Sequence, residues 1–437
     1  MKNPIAISLA LTGARYSPWL KTNGISKLPE PDFYAEHMPI TPEEVARDVE
    51  RASREGAIFF HAHARNPETG AQYADLSWYR QTAKLVREIN PEYILSFPTS
   101  RKMEVGKQID DELHASHKLQ GNPPGQHDRA YHELKVRGVA VEALPDTLTT
   151  FTVPEVKILG KPKDSRGVED VPGWNEPAVM KLYYHGLIQR TMELGVMQEI
   201  EITTMGQFDV LKRMAKSGEY HLDAPVHFVL LLGFSNGLPI SKETYEQALK
   251  NIEDLRRGIN QPTVITVGAV IRPKESSESP VNPLTQGQHD YHEVMDWVVD
   301  DPRIDIFRVG LEDTPKCYGW QWKNHELVEY AVDFFLNRGR DILTDPAILR
   351  NHMGLSTEGR IPIDTTSDKP SVNSDFELPD TNKLEKIIKE LIAQGCHDNI
   401  KIILQALQKE VKSDDRFGRK TKSKIARSLR KTSKLLT

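Results

Sequence analysis

The stretch "ITPEEVARDVERASREGAIFFHAH", residues 40–63, combines the two elements from which the fold is built. Thr41, Pro42 and Glu44 stand at the N-cap, first and third helical positions of a capping box, and a glycine ends the helical pattern. The run "AIFFHAH" that follows is apolar almost throughout, which is typical of a parallel strand covered on both faces. We therefore predict a helix followed directly by a buried strand.

Short apolar runs of the same kind alternate with helical segments along most of the chain. The predicted strands are residues 5–11, 57–63, 93–99, 138–144, 199–203, 226–233, 263–270 and 304–310. Eight strands alternating with helices favour a (β/α)8 TIM barrel, which needs ~250 residues before insertions. An open, doubly wound sheet shows the same alternation, but no GxGxxG motif follows the first strand here. The predicted fold class is therefore α/β, a TIM barrel.

Several segments exceed a minimal barrel. Residues 104–135 and 152–178 are polar and contain proline and glycine, so we predict long loop insertions there. We expect residues 1–345 to form the catalytic barrel and residues 346–437 to form a linker with a C-terminal helical, basic extension. The basic tail 416–437 could bind nucleic acid or anionic lipid, or serve as a solvated or subunit-binding extension. The scarcity of aromatic residues in it favours the second interpretation.

Composition and charge exclude several classes of protein. The formal net charge of -5 argues against a nucleic-acid binder, which is normally basic. The two cysteines, Cys317 and Cys396, form neither a metal-type cluster nor a disulfide scaffold, which suits a reducing cytosol. The first apolar run is too short for a signal peptide, and no run approaches the ~20 residues of a membrane span. We therefore expect a cytoplasmic protein without membrane association.

Two histidines at the end of the second predicted strand, His61 and His63, are the first candidates for chemistry. Side chains two residues apart in a strand point to the same face, and a barrel carries its active site where the strands end. Such a pair can supply two of the three protein ligands of a catalytic zinc ion. The alternative is two polar residues that mark where the strand meets solvent.

The stretch "IDIFRVGLED", residues 304–313, supplies further polar groups at the end of the eighth predicted strand. Period two places Arg308 and Glu312 on one face, with Asp313 just past the end. In a closed barrel the last strand adjoins the first and lies near the second, so Glu312 could complete a His2Glu site with the histidine pair. The alternative is a surface strand end with a local ion pair, but the two segments together favour a metal site.

The motifs "PITPEEVARD…GAIFFHAHARNPETG" and "FRVGLEDT" resemble the β-keto acid cleavage enzyme family, over roughly residues 1–345. The resemblance implies a zinc-dependent (β/α)8 barrel that condenses a β-keto acid with acetyl-CoA, giving acetoacetate and a shortened acyl-CoA. It places the metal ligands at His61, His63 and Glu312. Zinc is the expected ion, although other divalent metals accept the same ligands.

The resemblance also implies roles for two residues at the end of the last strand. Asp313 is expected to be the base that removes the acidic proton of the β-keto acid. Arg308 is expected to keep Asp313 ionised and to stabilise anionic intermediates. Members of the family commonly assemble as tetramers, so we expect a homotetramer.

Substrate contacts are predicted at three positions. Arg15 stands where the family's type enzyme reads a substrate amino group with an acidic residue, so we predict an anionic or neutral substrate side group. Arg15 could instead point outward and pair locally. Thr99 and Ser100, at the end of the third predicted strand, can hydrogen-bond a carboxylate. Glu142 and Glu201, each within a predicted strand, could face the barrel interior and contact substrate.

Other functions remain open at this point. A metal-dependent aldolase or lyase could act on a keto acid without CoA. A metal-dependent amide hydrolase would need more metal ligands on later strands, where strands five and six offer only His227, which we predict to be a satisfied barrel residue. A non-catalytic binding protein would act through the basic C-terminal tail, and its binding to RNA would be sensitive to salt.

Overall fold

A computed structural model describes most of the first 355 residues of the chain. The described residues are 3–12, 37–68, 70, 72–99, 126–151, 186–216, 225–233, 237–257, 259, 261–270, 283–312, 316–317 and 320–355. The chain divides into two compact units, Met1–Ile363 and Asp364–Thr437, and the described residues all belong to the first. The predicted insertion 152–178, the linker and the basic tail lie outside them.

Eight parallel strands form a closed ring, which confirms the predicted TIM barrel. They are β1 Ile5–Thr12, β2 Ala57–Ala62, β3 Ile94–Phe97, β4 Thr147–Phe151, β5 Met197–Ile202, β6 Val226–Leu232, β7 Thr263–Ala269 and β8 Ile306–Val309. Each strand pairs with the next one along the chain, and β8 pairs with β1 to close the barrel. A short antiparallel pair, β9 Lys316–Cys317 and β10 Trp320–Gln321, follows β8.

Helices follow the strands and pack their apolar faces on the outside of the barrel. They are α1 Pro42–Arg54, α2 Leu76–Ile89, α3 Gln126–Arg137, α4 Gly206–Lys216, α5 Lys242–Arg256, α6 Pro283–Val299 and α7 Asn324–Asn337. Helix α1 has the predicted capping box: the Thr41 hydroxyl accepts the Glu44 N–H at 3.3 Å, and the Glu44 carboxylate accepts the Thr41 N–H at 3.0 Å. Within the described ranges, no helix combines the length and the apolarity that a membrane crossing requires.

The fourth strand lies later in the chain than predicted. The predicted strand 138–144 is wrong, because Val139–Ala143 form a 3-10 helix and β4 begins only at Thr147. A short buried helical turn and a buried strand can share the same apolar composition. The true strand, "TLTTF", is rich in threonine because two of its hydroxyls bind a carboxylate inside the barrel. Residues 126–135 of the predicted loop 104–135 are helical instead, since α3 begins at Gln126.

The amino-terminal end of the barrel is closed by apolar side chains. A short strand, β11 Ile342–Leu343, pairs with β1, and helix α8, Pro346–Met353, follows it. Leu349 and Met353 of α8 join a buried cluster with residues near the starts of the strands, among them Phe59, Ile94 and Ile306. Helix α8 lies beyond residue 345, where we placed the end of the barrel domain, and it packs on the barrel.

A buried ion pair lies at the same end. Arg350 of α8 places Nη1 2.8 Å from Oδ1 of Asp146, and both side chains are almost completely buried. The other carboxylate oxygen of Asp146 accepts the backbone N–H of Leu95 at 2.9 Å. Both oxygens of Asp146 therefore have a donor within the protein.

Candidate metal centre

The three predicted metal ligands converge at the carboxyl ends of β2 and β8. Nε2 of His63 lies 2.9 Å from Oε1 of Glu312, and Nε2 of His61 lies 3.6 Å from Oε2 of the same carboxylate. The two Nε2 atoms are 3.2 Å apart. The ligand atoms of the three residues all lie within 4.8 Å of one another, so a single cation could contact all three.

Strand β1 brings the two halves of this group together. It lies between β2 and β8, with Ala10 opposite His61 and Ser8 opposite Arg308. At its end, the Thr12 hydroxyl accepts the backbone N–H of His63 at 2.6 Å and donates to the His63 carbonyl at 3.0 Å. His63 is therefore held in place although it lies just past the end of β2.

The chain turns sharply between Arg308 and Glu312. Strand β8 ends at Val309, and Gly310 adopts a φ of +135°, a conformation that favours glycine. A Cβ at position 310 would lie 2.1 Å from the carbonyl oxygen of Ala10. The backbone N–H of Glu312 donates to that same oxygen at 3.2 Å. Glu312 therefore reaches the site through a glycine turn and not by continuing the strand.

Asn324, the first residue of α7, ties this turn to the rest of the barrel. Its Oδ1 accepts the backbone N–H of Leu311 at 3.2 Å. Its Nδ2 donates to the Leu11 carbonyl at 3.4 Å and to the Asp48 carboxylate at 2.9 Å. Sequence reasoning missed Asn324, because a polar residue at the start of a helix gives no sign of such a role.

The loop after β2 folds back and contacts His63. Arg65 and Gln72 form an antiparallel bridge, and the buried Arg65 guanidinium donates to the Gly70 carbonyl at 2.6 Å. The side-chain amide of Gln72 contacts Nδ1 of His63, on the side of the ring away from Glu312. Gln72 therefore helps to orient His63, a role that the sequence did not suggest.

The Nδ1 atom of His61 is linked through a serine hydroxyl to a buried carboxylate. This nitrogen lies 2.9 Å from the hydroxyl of Ser96 on β3, and that hydroxyl donates to Oε2 of Glu199 on β5 at 2.8 Å. The Nδ1 atom itself is 4.0 Å from Oε1 of Glu199. A carboxylate that orients a metal-binding histidine through a second group is common in metal sites.

Glu199 is fully buried and is surrounded by donors. Thr147 and Thr149 of β4 donate their hydroxyls to its carboxylate at 3.0 and 2.9 Å, and Nδ1 of His227 lies 3.2 Å from Oε2. Burial by itself would raise the pKa of Glu199, but the contact with His227 and the charges of His61 and Arg308 lower the pKa below its ordinary value. The carboxylate is therefore ionised at neutral pH.

The electrostatic state of the three converging side chains suits a divalent cation. Burial lowers the pKa of His61 to about 3, with the charge of Glu312 opposing the shift and that of Arg308 adding to it. Burial would raise the pKa of Glu312, but His63, Arg308 and His61 together hold it well below its ordinary value. Oε2 of Glu312 is buried and completes no hydrogen bond within the described part of the chain. A neutral imidazole and an ionised carboxylate are the forms that bind metal, so these residues fit a divalent metal ion.

Of the other predicted site residues, Arg308 and Thr99 lie in the part of the chain that the structure describes. The buried Arg308 places Nη2 3.1 Å from Oε2 of Glu312. Thr99 is buried and donates its hydroxyl to the carbonyl of Thr149 at 2.8 Å, so the hydroxyl would have to turn in order to donate to a substrate. Arg15, Ser100 and Asp313 lie outside the described residues, and their roles stay predictions.

Of the two carboxylates that we predicted to lie in strands, one does and the other does not. Glu142 does not face the barrel interior: it lies in the 3-10 helix and pairs with Arg190 at 2.7 Å. Glu201 lies in β5, with Oε1 3.9 Å from Nη1 of Arg308. Period two in "EIEIT" places Glu199 on the same face as Glu201, and this signal could have identified the buried carboxylate that we missed.

His227 contacts polar partners inside the barrel, as we predicted. Its Nε2 lies 2.7 Å from the Thr266 hydroxyl, and its ring packs edge-on against Phe59 at 5.3 Å between centroids. It does not belong to the group of three ligands, which consists of His61, His63 and Glu312 within the described residues.

Comparisons with known proteins bear on this site. The profile of a family described as "BKACE: beta-keto acid cleavage enzyme" matches residues 31–273. The chain is 24% identical over 352 residues to the "3-dehydrocarnitine:acetyl-CoA trimethylamine transferase" of Rhizobium meliloti (strain 1021), covering 80% of this chain and 96% of that protein.

Solved structures give weaker similarities. The apo structure of ObcA has a TM-score of 0.45 and 18% identity, and the match covers 74% of this chain and 66% of that one. The ternary complex of ObcA with a C4-CoA adduct and oxalate has a TM-score of 0.44 and 19% identity, covering 74% and 68%. Similarities at this level do not indicate which reaction this chain catalyses.

Proposed function

The chain belongs to the β-keto acid cleavage enzyme family, and from this premise we propose that it uses a bound zinc ion to cleave a β-keto acid with acetyl-CoA. The products would be acetoacetate and the CoA thioester of the shortened acid. The chain is accordingly an enzyme that cleaves a carbon–carbon bond and transfers an acyl group. The observation that carries the zinc-dependent mechanism is the convergence of His61, His63 and Glu312 within 4.8 Å.

The metal would be held by Nε2 of both histidines and by the Glu312 carboxylate. Two imidazoles and one carboxylate form a donor set typical of catalytic zinc, which keeps a position open for substrate. When bound, the metal supplies Lewis-acid polarisation of the ketone and carboxylate oxygens of the β-keto acid. Other divalent ions accept the same ligands, so zinc is the first candidate to measure.

The residues around the ligands supply the proton transfer and the charge stabilisation. We assign Asp313, which follows Glu312 in the chain, as the base that removes a proton from the carbon between the two carbonyl groups. The guanidinium of Arg308, buried beside Glu312 and Glu201, would stabilise the enolate that results. Arg308 is also proposed to keep Asp313 ionised.

The remaining steps transfer two acyl groups, first the acetyl group of acetyl-CoA and then the acyl group of the substrate. The enolate carbon forms a bond to the thioester carbonyl of acetyl-CoA and expels the CoA thiolate. The thiolate then attacks the ketone carbon of the adduct, and the bond between that carbon and the former enolate carbon breaks. The proton held by Asp313 returns to the carbanion that leaves, which gives acetoacetate.

We propose that the substrate side group is anionic or neutral, because Arg15 would repel a cation. Thr99 and Ser100 are proposed to bind the substrate carboxylate. A cytoplasmic homotetramer is the proposed state of the enzyme, in line with what is common in the family.

The test of the metal site is a measurement of metal content by plasma mass spectrometry. Wild-type protein purified without chelator should carry close to one zinc per chain, and His61→Ala should carry almost none. His352→Ala is the matched control, because His352 is half-exposed at the other end of the barrel. A wild-type protein that neither retains nor takes up a divalent metal would overturn the proposal.

The reaction is tested with a panel of β-keto acids that carry anionic, neutral and cationic side groups. Acetoacetate should appear only when acetyl-CoA is present and should be lost in His61→Ala. Turnover of a keto acid that continues without acetyl-CoA would instead support a metal-dependent aldolase or lyase. RNA binding lost on deleting residues 416–437, in a protein without metal, would support the binding-protein alternative.

A further inference from the structure

The buried carboxylate of Glu199 is not a member of the ligand group, yet it is connected to one of the ligands. The connection runs from Oε2 of Glu199 to the Ser96 hydroxyl at 2.8 Å, and from that hydroxyl to Nδ1 of His61 at 2.9 Å. All three side chains are buried almost completely. We propose that Glu199, acting through Ser96, is a positioning residue that keeps the proton of His61 on Nδ1, so that Nε2 is free to bind the metal.

The direction of the hydrogen bonds carries this inference, which rests on the proposed metal site. A hydroxyl has one proton, and the Ser96 proton is donated to Glu199. Towards His61 the Ser96 oxygen can therefore only accept, which makes Nδ1 the donor. A neutral imidazole has one N–H, so the lone pair lies on Nε2, the atom that faces His63 and Glu312.

The role of Ser96 differs from that of the other hydroxyls on the same carboxylate. Thr149 donates to Oε1 of Glu199 at 2.9 Å, and Thr147 donates to Oε2 at 3.0 Å. Both fix the carboxylate, but neither hydroxyl bonds to His61. Thr149 and Ser96 thus form a matched pair: each donates one hydrogen bond to Glu199, and only Ser96 passes the effect on to a ligand.

The expected effects follow from this difference. In Ser96→Ala, Nδ1 of His61 loses its acceptor, and zinc affinity should fall about 10- to 100-fold, as is usual when such an orienting partner of a ligand is removed. Thr149→Val keeps the shape of the side chain and should change zinc affinity by less than about 3-fold. Ser96→Thr keeps the hydroxyl and should restore affinity close to that of the wild type.

Glu199→Gln gives a second, independent test. The amide of a glutamine can donate to the Ser96 oxygen, which releases the Ser96 proton towards Nδ1 of His61. The proton of His61 would then move to Nε2 and block the atom that binds the metal. We therefore expect weaker zinc binding in this variant although its shape is almost unchanged.

The experiment measures two quantities on the full-length chain. Zinc affinity is obtained by competition with a chromophoric chelator. The position of the imidazole proton is obtained from 15N NMR of histidine-labelled, metal-free protein, with the His61 signals assigned by their loss in His61→Ala. We expect Nδ1 to carry the proton in wild type and Thr149→Val, a mixture of both forms in Ser96→Ala, and Nε2 to carry it in Glu199→Gln.

The outcomes separate this inference from the proposed function. A purely structural role would lower the melting temperature of Ser96→Ala and Thr149→Val alike, and would leave the nitrogen signals unchanged. Equal losses of zinc affinity in those two variants, or a wild-type His61 with its proton on Nε2, would overturn the inference while the metal site stands. A wild-type protein that binds neither zinc nor another divalent metal would overturn the proposed function, and the NMR result would still decide the position of the proton.

Discussion

Two arginine–carboxylate pairs, one fully buried and one with a partly buried carboxylate, lie at opposite ends of the same barrel, and they differ in what the carboxylate does besides pairing. At the amino-terminal end, Asp146 accepts from Arg350 and, through its other oxygen, from a backbone N–H. At the carboxyl end, Glu312 lies beside Arg308 and reaches two imidazoles, with one oxygen that completes no hydrogen bond within the described residues. In the first arrangement both carboxylate oxygens have a donor within the protein, whereas in the second one oxygen is left for a ligand.

The largest effect on zinc binding is expected from Glu312→Gln, at the carboxyl end of the barrel. The change keeps the shape of the side chain but removes the negative charge, so zinc affinity should fall at least ~100-fold and cleavage of the β-keto acid should fall to background. Zinc content and acetoacetate formation are the measurements, with circular dichroism to show that the fold is intact.

Glu201→Gln is the control for this change, because Glu201 also faces Arg308 but does not belong to the group of three ligands. It should retain zinc. A Glu312→Gln protein that binds zinc as tightly as this control would show that the pair at the carboxyl end is not a metal site.

Arg350→Met should break the pair at the amino-terminal end and leave the one at the carboxyl end untouched. The variant leaves the Asp146 carboxylate buried without its partner, which costs about 3–5 kcal/mol of unfolding free energy. Zinc bound per folded chain should not change. Urea denaturation measures the first quantity and metal analysis the second.

Arg338→Met measures how much an exposed ion pair contributes to the unfolding free energy, since Arg338 is half-exposed and pairs with Asp296. Its effect should stay below about 1 kcal/mol. If the two arginine variants were equally stable, the buried pair would contribute no more than a surface one.

Gly310→Ala tests how the carboxyl end is built. The added Cβ would meet the Ala10 carbonyl oxygen, and alanine disfavours the φ of +135°, so backbone strain should cost up to about 3 kcal/mol. Zinc affinity should also fall, because the turn positions Glu312. Denaturation and chelator competition measure the two effects.

Gly195→Ala is the matched glycine: its φ is +64°, and no atom would lie within 4 Å of an added Cβ. It should cost about 1 kcal/mol and leave zinc affinity unchanged. Equal zinc affinity in the two glycine variants would count against the role of the turn.

The smallest effect is expected at the closed end, from His352 of α8. Its Nε2 lies 3.1 Å from Oδ1 of Asp305, and this hydrogen bond raises the pKa of His352 above 6.5 despite partial burial. A raised pKa in the folded state means that the stabilisation is complete below pH 6.5 and is lost as the pH rises through the folded pKa.

The half-exposed side chain limits this contribution to roughly 0.2–1 kcal/mol. The difference in unfolding free energy between wild type and His352→Gln should therefore be larger at pH 5.5 than at pH 8.5. A difference that grows with pH would contradict the assignment.

The barrel and its ligands could be predicted from the sequence because both depend on local patterns. Apolar runs and a capping box indicated alternating strands and helices, and only the fourth strand was misplaced, where threonines bind a buried carboxylate. His61 and His63 share a face by strand geometry, and barrel closure predicted that Glu312 would lie near them. The structure brings the three together.

The supporting residues could not be predicted, because their contacts join segments that are distant in the chain. Asn324 contacts Leu11, which is 313 positions away, and Ser96 contacts Glu199, which is 103 positions away. Polar residues of this kind are common everywhere, so residue type alone does not distinguish them. Gln72 is nearer, but its contact with His63 depends on a loop that folds back through a buried arginine.

The tie between Asn324, the turn after β8 and the end of β1 also has a consequence for biosynthesis. His61 and His63 leave the ribosome about 250 residues before Glu312, an interval on the order of ten seconds or more at 5–20 residues per second. Until Asn324 has been synthesised, the turn after β8 lacks the side chain that ties Leu311 to the Leu11 carbonyl at the end of β1. We therefore expect the nascent chain to hold zinc weakly, and metal loading to be a late event that follows closure of the barrel.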